Sequence, residues 1–560
     1  MYDFKHEKPN AYKEFDSILE DIEKHPNREY FIYKSIILNN LYGVDIMKEA
    51  TEIAKLRLFL KLASCAEVDY KKENLGLEAL PDIDFNIRAG NSLVGFANYQ
   101  EIKDTVDFDG INGQRALNFD DPMKQIDEKA QIVSLAYKRF KDSQLVSGSH
   151  EDIVSSKKDL QIRLESLNDE LNHYMAKKYG IDIEEEKKYE KWLNTHEPFN
   201  WFVEFYDVIH NRGGFDVIIG NPPYVEYTKV KNTYTVKNYQ TEECANLYPF
   251  CIEQSIKLLH KNALIGMIIP ISAFANQSMI TFQQYIKQFN KMWLSNFHQR
   301  PAALFDGVLQ RLSIFITYNN NENEQKIYTT GITRWYSEYR ESLFTNMKYC
   351  LFNQTIQPHF IKVESKIEKQ LADKFYIHNQ ISNYIDSNKK NNNHISYRTA
   401  GGGYWVTFLN SLFETQSLSN KIKCFREEYN AKVFSAILNS NLFWWYYSTN
   451  YDLFNFKDYM IFSFRFNYPN ENVEKELIKL SDELEENLLS NAVRYTINSK
   501  TRGANVTINY NKPKSKYIMD KIDTILAKHY GFTDEELDYI INYDIKYRMG
   551  DSLNDDDNDE

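Results

Sequence analysis

The stretch FDVIIGNPPYVEY, residues 215–227, decides how the rest of this sequence is read. Asp216 to Ile219 look like a buried strand, which stops at a glycine, an asparagine, two prolines and a tyrosine. After a strand of a parallel sheet, Asn221 falls at the carboxyl edge, where α/β sheets bind ligands. Pro222 and Pro223 fix φ and have no N–H, so this corner leaves carbonyls free to accept. A flat base with an exocyclic amino group offers two N–H donors. The Asn221 side-chain oxygen and the Pro222 carbonyl could take both while Tyr224 stacks on the ring. A structural corner alone would account for NPP, but the apolar run before it and the aromatic after it favour the ligand-binding reading.

Working outward, IILNNLYGVDI at 36–46 is an apolar run ending in Gly43 and Asp45, read as a strand with an acidic end. It is followed by MKEATEIAKLRLFLKLAS, whose apolar spacing predicts a helix. That is the repeating step of a doubly wound sheet. In IDFNIRAGNSLVGFAN, residues 83–98, Asn86 to Ala89 make a second short strand and GNSL a turn just past it. Residues 122–190 are highly charged with apolar residues at helical spacing, which predicts two long helices in a protruding hairpin. Sheet-like order returns with FDVIIG. A helix at 248–259, a turn at 260–262 and a strand at 264–269 come next, then a strand at 314–317 that is antiparallel to the others.

Composition bounds the alternatives. The 560 residues are enough for two to four domains. A net charge of -12 does not describe a basic nucleic-acid wrapper, although DSLNDDDNDE at 551–560 holds half of that excess on a tail expected to be disordered. Five cysteines without a CxxC pair give no metal site and point to a reducing, cytoplasmic setting. ALIGMIIPISAF, the most apolar stretch, is too short to span a bilayer, so no membrane partner is expected.

Taken in order, LYGVDI, AGNSLVG, GGFDVIIGNPPY, ANLYPFCIEQSIKLL, GMIIPISAF and RPAALFDGVLQRLSIFI resemble the motifs of the N6-adenine DNA methyltransferases, in particular the large bacterial restriction-modification type with NPPY. The resemblance implies S-adenosyl-L-methionine as cofactor, double-stranded DNA as partner and methyl transfer to a flipped-out adenine. It assigns catalytic roles to Asn221, Pro222 and Tyr224, with Pro223 shaping the corner on the substrate side. Asp45 would hold the cofactor ribose, and a helix N-cap is its equal alternative. Asn91 and Ser92 would lie near the cofactor adenine, where many relatives carry Asp instead of Asn91; a plain Asx turn is the alternative there. Asn246, Tyr248 and Phe274 would line the substrate pocket, and Phe250 and Phe305 would pack.

The family's glycine-rich turn after the first strand should precede LYGVDI, yet Gly43 is the sole glycine among the first 44 residues. The expectation is therefore a Rossmann-like methyltransferase sheet without its first strand, with a separate polypeptide supplying that turn or with a noncatalytic DNA-binding, specificity or degenerate role. A further restriction-system subunit is also implied as a partner. The expected domains are 1–121 and 196–322 for the methyltransferase, 122–195 for a helical insertion, 323–480 for DNA target recognition, 481–550 for C-terminal helices and 551–560 for the acidic tail. In the recognition region Arg398, Lys421, Lys423, Arg426 and Lys457 are candidates for phosphate contacts, and FWWYYSTNYDLFNF for core or stacking. No nuclease constellation and no phosphate-binding Walker loop is present.

Overall fold

The computed structural model describes residues 15–549 except 107, 110–113, 116–121, 146–148, 319–323, 353–358, 388–390, 400–405, 416, 455 and 500–502. The acidic tail and most of TAGGGYW fall outside the described residues. The chain divides into two compact units, Met1–Ile218 with Pro222–Ile265, and Ile219–Asn221 with Gly266–Glu560.

In the first unit α1 (Arg28–Asn40) leads into β1 (Gly43–Asp45), α2 (Lys48–Ser64) and β2 (Ile87–Ala89). The apolar run Ile36–Asn40, read as part of a strand, is the last turn of α1; only the three residues after Tyr42 extend. Asn86 explains the switch, because its buried side-chain amide donates to the carbonyls of Leu38 and Leu41, 3.0 Å each, and fastens the helix end to the strand start. β1 and β2 pair in parallel from Gly43↔Ile87 to Asp45↔Ala89. The expected helical hairpin is present as α3 (Pro122–Leu145) and α4 (His150–Lys178). Ala130, Val133 and Phe140 of one helix and Leu160, Leu164, Leu167 and Leu171 of the other form a buried seam in one cluster with Phe199, Phe202 and Phe205. Each such side chain contributes about 1.5–3 kcal/mol of burial, so the charged insertion is a packed part of this unit's core.

The main sheet holds β3 (Phe215–Gly220), β4 (Leu259–Pro270), β5 (Lys291–Phe297), β6 (Leu312–Tyr318), β7 (Lys326–Thr333) and β8 (Cys350–Leu351). Their order is β8-β7-β5-β6-β4-β3. Gly214 abuts Leu258–His260 and Gly220 abuts Met267, so β3 and β4 run the same way. β6 is antiparallel to β5, and β7 is parallel to β5. This mixed α/β sheet matches the expected fold class and its late antiparallel strand. Two details differ from the sequence reading. No turn separates helix Leu247–Lys257 from β4, because extended pairing starts at Leu259. The sheet also continues through β7 and β8, past residue 322.

Among the described residues β3 is the edge of its sheet, and β1–β2 form a separate two-stranded sheet. Phe215 and Ile218 pack against the first unit's core, whereas Val217 is 56% and Ile219 80% exposed. The apolar run that reads as a buried strand thus has one covered face and one open one.

In the second unit, helices Lys366–Phe375, Ala431–Leu438, Asn441–Asn450, Glu471–Ser490 and Lys516–Tyr530 enclose a further core. Every residue of Asn441–Asn450 is buried, so the packing reading of FWWYY holds and its rings offer no stacking platform. Thr533 followed three residues later by Glu536 reads in the sequence as a capping box, and the structure forms it at the start of the helix at Asp534. An antiparallel hairpin, Ala492–Ser499 with Gly503–Tyr510, was not foreseen. Among the described residues no helix is long and apolar enough to cross a membrane, and no cluster of His, Cys, Asp or Glu could hold a metal ion.

Candidate functional site

The turn AGNSLVG is built around close backbone approach. At Gly95, where φ is +134°, a Cβ would stand 2.1 Å from the Phe199 carbonyl oxygen. The segment that brings Phe199 there clamps the turn throughout. Asn91 N donates to Glu197 O at 2.8 Å and Phe199 N to Val94 O at 2.7 Å. Trp201 Nε1 donates to Ser92 O at 3.1 Å, and Phe96 N to Asn200 Oδ1 at 3.2 Å. Asn200 itself is buried and donates to Asn168 and Asn172 of α4. Asn200 and Trp201 are positioning residues that the sequence reading passed over. What they need is an unusual neighbour, a glycine with room for nothing larger.

Two cofactor candidates emerge from this scaffold. Asp45 ends β1 exposed, with Oδ1 accepting from Met47 N at 2.8 Å, so the helix-start contact is present and uses one of the two carboxylate oxygens. Asn91 is 2% exposed. Its Oδ1 accepts from Leu93 N at 3.1 Å, an Asx turn, while its Nδ2 has no hydrogen-bond partner. A buried donor without an acceptor costs about 1–3 kcal/mol, which a ligand acceptor would relieve. Gly90 N donates to Asp45 O at 2.9 Å, tying the two residues' segments together. Asp45 and Asn91 therefore fit the adenosine end of S-adenosyl-L-methionine. For its methionine end no glycine-rich turn occurs among the described residues.

On the target side, an isolated bridge joins Glu226 to Asn246, and Leu247 N donates to Val225 O at 2.9 Å. This brings Tyr224 edge-on to Tyr248, with ring centroids 6.5 Å apart. Pro222 is buried and Pro223 exposed. Half-burial pushes the Tyr224 hydroxyl up to about 12, so the ring stays neutral at physiological pH. Asn246 stands at the N-cap of helix Leu247–Lys257 without capping it, and its buried Oδ1 is unpaired. Tyr239 OH donates to Leu93 O at 2.9 Å and contacts Gln254 Oε1 at 3.1 Å. That single phenol links the AGNSLVG turn to the helix behind Tyr224. Glu253, also buried, accepts from Gln240 N, Thr241 N and Thr241 Oγ1 and fixes the loop between them.

In the second unit Asn221 is exposed, one residue beyond Gly220, whose Cβ position lies 2.9 Å from Met267 Sδ. Phe274 follows β4 but is 1% exposed, packed on Phe282, Phe315 and Phe360. In this arrangement its ring presents no surface to a ligand.

Residues 39–301 match the family model described as Eco57I restriction-modification methylase. The match takes in just under half of the chain. The chain is also 29% identical over 337 residues to RM.MjaORFECS2P of Methanocaldococcus jannaschii, whose name assigns it to the type II restriction enzymes and methyltransferases. The match takes in 53% of this chain but spans only 27% of that protein's length. Solved structures similar to the chain include the Type IIL restriction-modification enzyme MmeI in complex with DNA, at 12% identity and a TM-score of 0.40, over 96% of this chain and 76% of that one. Another is the ATP-dependent Type ISP enzyme LlaBIII bound to DNA, at 12% identity and a TM-score of 0.29, over 87% and 48%.

The matched segment holds all ten sequence-predicted site residues. Asn91 and Ser92 are fixed by Glu197 and Trp201, neighbours the sequence reading did not name. Of the expected phosphate contacts, Arg398 is turned to Asn420 Oδ1 at 2.9 Å, and Lys423 pairs with Asp458 at 2.7 Å.

Proposed function

We propose that this chain transfers a methyl group from S-adenosyl-L-methionine to the N6 amino group of adenine in double-stranded DNA, within a restriction-modification system. The observation that carries this reading is the exposed amide of Asn221 at the carboxyl end of β3, followed by a rigid Pro-Pro corner and a neutral tyrosine ring. It lies inside the family-matched segment.

In the proposed chemistry the Asn221 side-chain oxygen and the Pro222 carbonyl accept the two amino hydrogens of an adenine that has left the duplex. Accepting both draws the nitrogen away from conjugation with the ring and aims its lone pair outward. Tyr224 stacks on the base and holds it in plane. When bound, S-adenosyl-L-methionine supplies a methyl group already activated on a sulfonium, so positioning is the larger part of the task. Asp45 and Asn91 would hold its adenosine end. The proton released from nitrogen can pass to water.

A segment carrying a glycine-rich turn for the methionine end belongs to this reading, whether it lies in the same polypeptide or a separate one. Its support is the unpaired edge of β3 with Val217 and Ile219 exposed, because open strand edges are templates for another strand. Residues 323–480 would form the target-recognition domain and 122–195 the helical insertion. A restriction subunit as partner and a cytoplasmic location complete the proposal. A second reading is a noncatalytic DNA-binding or specificity component.

The test is transfer of labelled methyl groups to duplex DNA by the chain, with and without a segment bearing the glycine-rich turn, in wild type and Asn221→Ala. The methyltransferase reading expects product in at least one wild-type arm and a loss of 100-fold or more in the variant. An equally active variant would remove Asn221 from the chemistry. DNA binding with no transfer in any arm would favour the second reading.

A further inference from the structure

The carboxyl edge of the sheet carries, beyond Asn221, a row of residues that the assigned site does not use. Gly220 of β3 abuts Met267 of β4. Ile271, just past β4, donates its N–H to Arg311 O at 3.0 Å at the entrance to β6. Leu312 faces Phe297 across the antiparallel pair of β6 and β5. His298 N then donates to Thr333 O at 2.9 Å at the end of β7. The edge therefore reads Asn221, Ile271, Arg311, His298, Arg334.

The row is cationic. His298 is buried, and its imidazole is pushed down to about 3, first by desolvation and then by the guanidiniums of Arg311, Arg334 and Arg300. The charge of Arg334 is balanced by Asp544, which leaves Arg311 and Arg300 as the other cations acting on the ring. Of the carboxylates nearby, Asp544 pairs with Arg334, and Asp306 lies 3.9 Å from Arg340. Arg300, by contrast, is exposed, and its backbone is fixed by its N–H donating to His298 Nδ1 at 3.1 Å. In a chain of net charge -12, a local positive field at this edge selects for an anion.

We propose that Arg300 and Arg311, set on either side of His298, form a phosphodiester seat for the DNA strand whose adenine enters at Asn221. The inference rests on the DNA methyltransferase reading and adds to it the residues that hold the strand's backbone. Neighbouring strands are about 4.8 Å apart, so Arg311 lies roughly 10 Å and His298 roughly 14 Å from Asn221 along the edge. With an axial rise of about 3.4 Å per nucleotide, that is three or four nucleotides. Phosphate contacts of this kind set register without reading sequence. Neutral His298 serves as the spacer that holds the two guanidiniums apart without adding charge.

The experiment is fluorescence anisotropy of a labelled duplex titrated with the full chain at several KCl concentrations, using wild type, Arg300→Gln, Arg311→Gln, Arg300→Lys and Asn221→Ala. Each Arg→Gln change should weaken binding several-fold whatever the DNA sequence and reduce the slope of log K against log salt by about 1. Arg300→Lys should restore most of both. Asn221→Ala should keep the slope while losing methyl transfer. An unchanged slope and affinity in folded Arg300→Gln would overturn the seat. Arg300 is exposed, so that variant decides the matter even where Arg311→Gln folds poorly. Wild type that binds DNA without salt dependence, or binds no DNA, would also overturn the seat, leaving the methyl-transfer reading to its own assay.

Discussion

Replacing Gly95 by alanine should be far more costly than the same change at Gly180, and the difference follows from two backbones. Gly180 has φ +75° and nothing within 4 Å of a Cβ. Alanine there pays only for a left-handed conformation, about 1–2 kcal/mol. Gly95 has φ +134°, and its Cβ would stand 2.1 Å from Phe199 O and 2.5 Å from Phe199 C, against 3.4 Å for ordinary contact. The strained φ costs about 1–3 kcal/mol, and forcing the added atom into a filled site about 1–3 more. The carbonyl cannot retreat cheaply, because Phe199 N is bonded to Val94 O at 2.7 Å and Asn200 to Phe96 N. A loss of roughly 3–5 kcal/mol is therefore expected for Gly95→Ala. Urea unfolding of both variants measures it. Hydrogen exchange should show protection lost at residues 91–96 and 199–203 in Gly95→Ala alone. A Gly95→Ala protein as stable as Gly180→Ala, with those amides still protected, would refute the clamp.

Other consequences can be checked alongside. Trp445 is wholly buried and donates to Glu368 Oε1 at 3.2 Å, so Trp445→Ala should lower stability by about 3–5 kcal/mol in denaturant unfolding; a loss below 1 kcal/mol would contradict its place in the core. Thr533→Ala removes one half of a capping box and should cost about 1 kcal/mol, with exchange quickened at Asp534 to Glu536 if the cap is real. Burial pushes the His359 imidazole down to about 4, while an unfolded histidine titrates near 6.5. Between those values the unfolded chain binds the extra proton, so stability present above about 6.5 falls as pH drops toward 4, by at most ~1.4 kcal/mol per pH unit. His359→Gln should flatten the pH dependence of the urea midpoint by about one proton in that window, and an unchanged slope would show that His359 is not the group responsible.

Where the sequence reading succeeded, the signal was local. The capping box needs only Thr533 and Glu536, and the helical hairpin at 122–178 needs only apolar residues at helical spacing. GNPPY places an amide, a rigid corner and a ring within four consecutive residues. The hairpin at 492–510 was legible too, in the alternation of AVRYTINS and GANVTINY around a glycine, but the neighbouring helical patterns drew it into their period. Ile36–Asn40 looked extended because an apolar run has no period of its own; Asn86, nearly fifty residues away, settles it by capping α1.

By itself, then, the sequence determined the elements and the chemistry of the corner at Asn221, because both rest on neighbours within a few residues. Tertiary structure decided what those residues face. It left Val217 and Ile219 exposed on an edge strand, packed Phe274 among three rings, set Phe199 against Gly95, and gathered Arg300, Arg311 and Arg334 around His298. Burial and electrostatic field are sums over groups brought close by the fold from distant parts of the chain, and no window of sequence contains them.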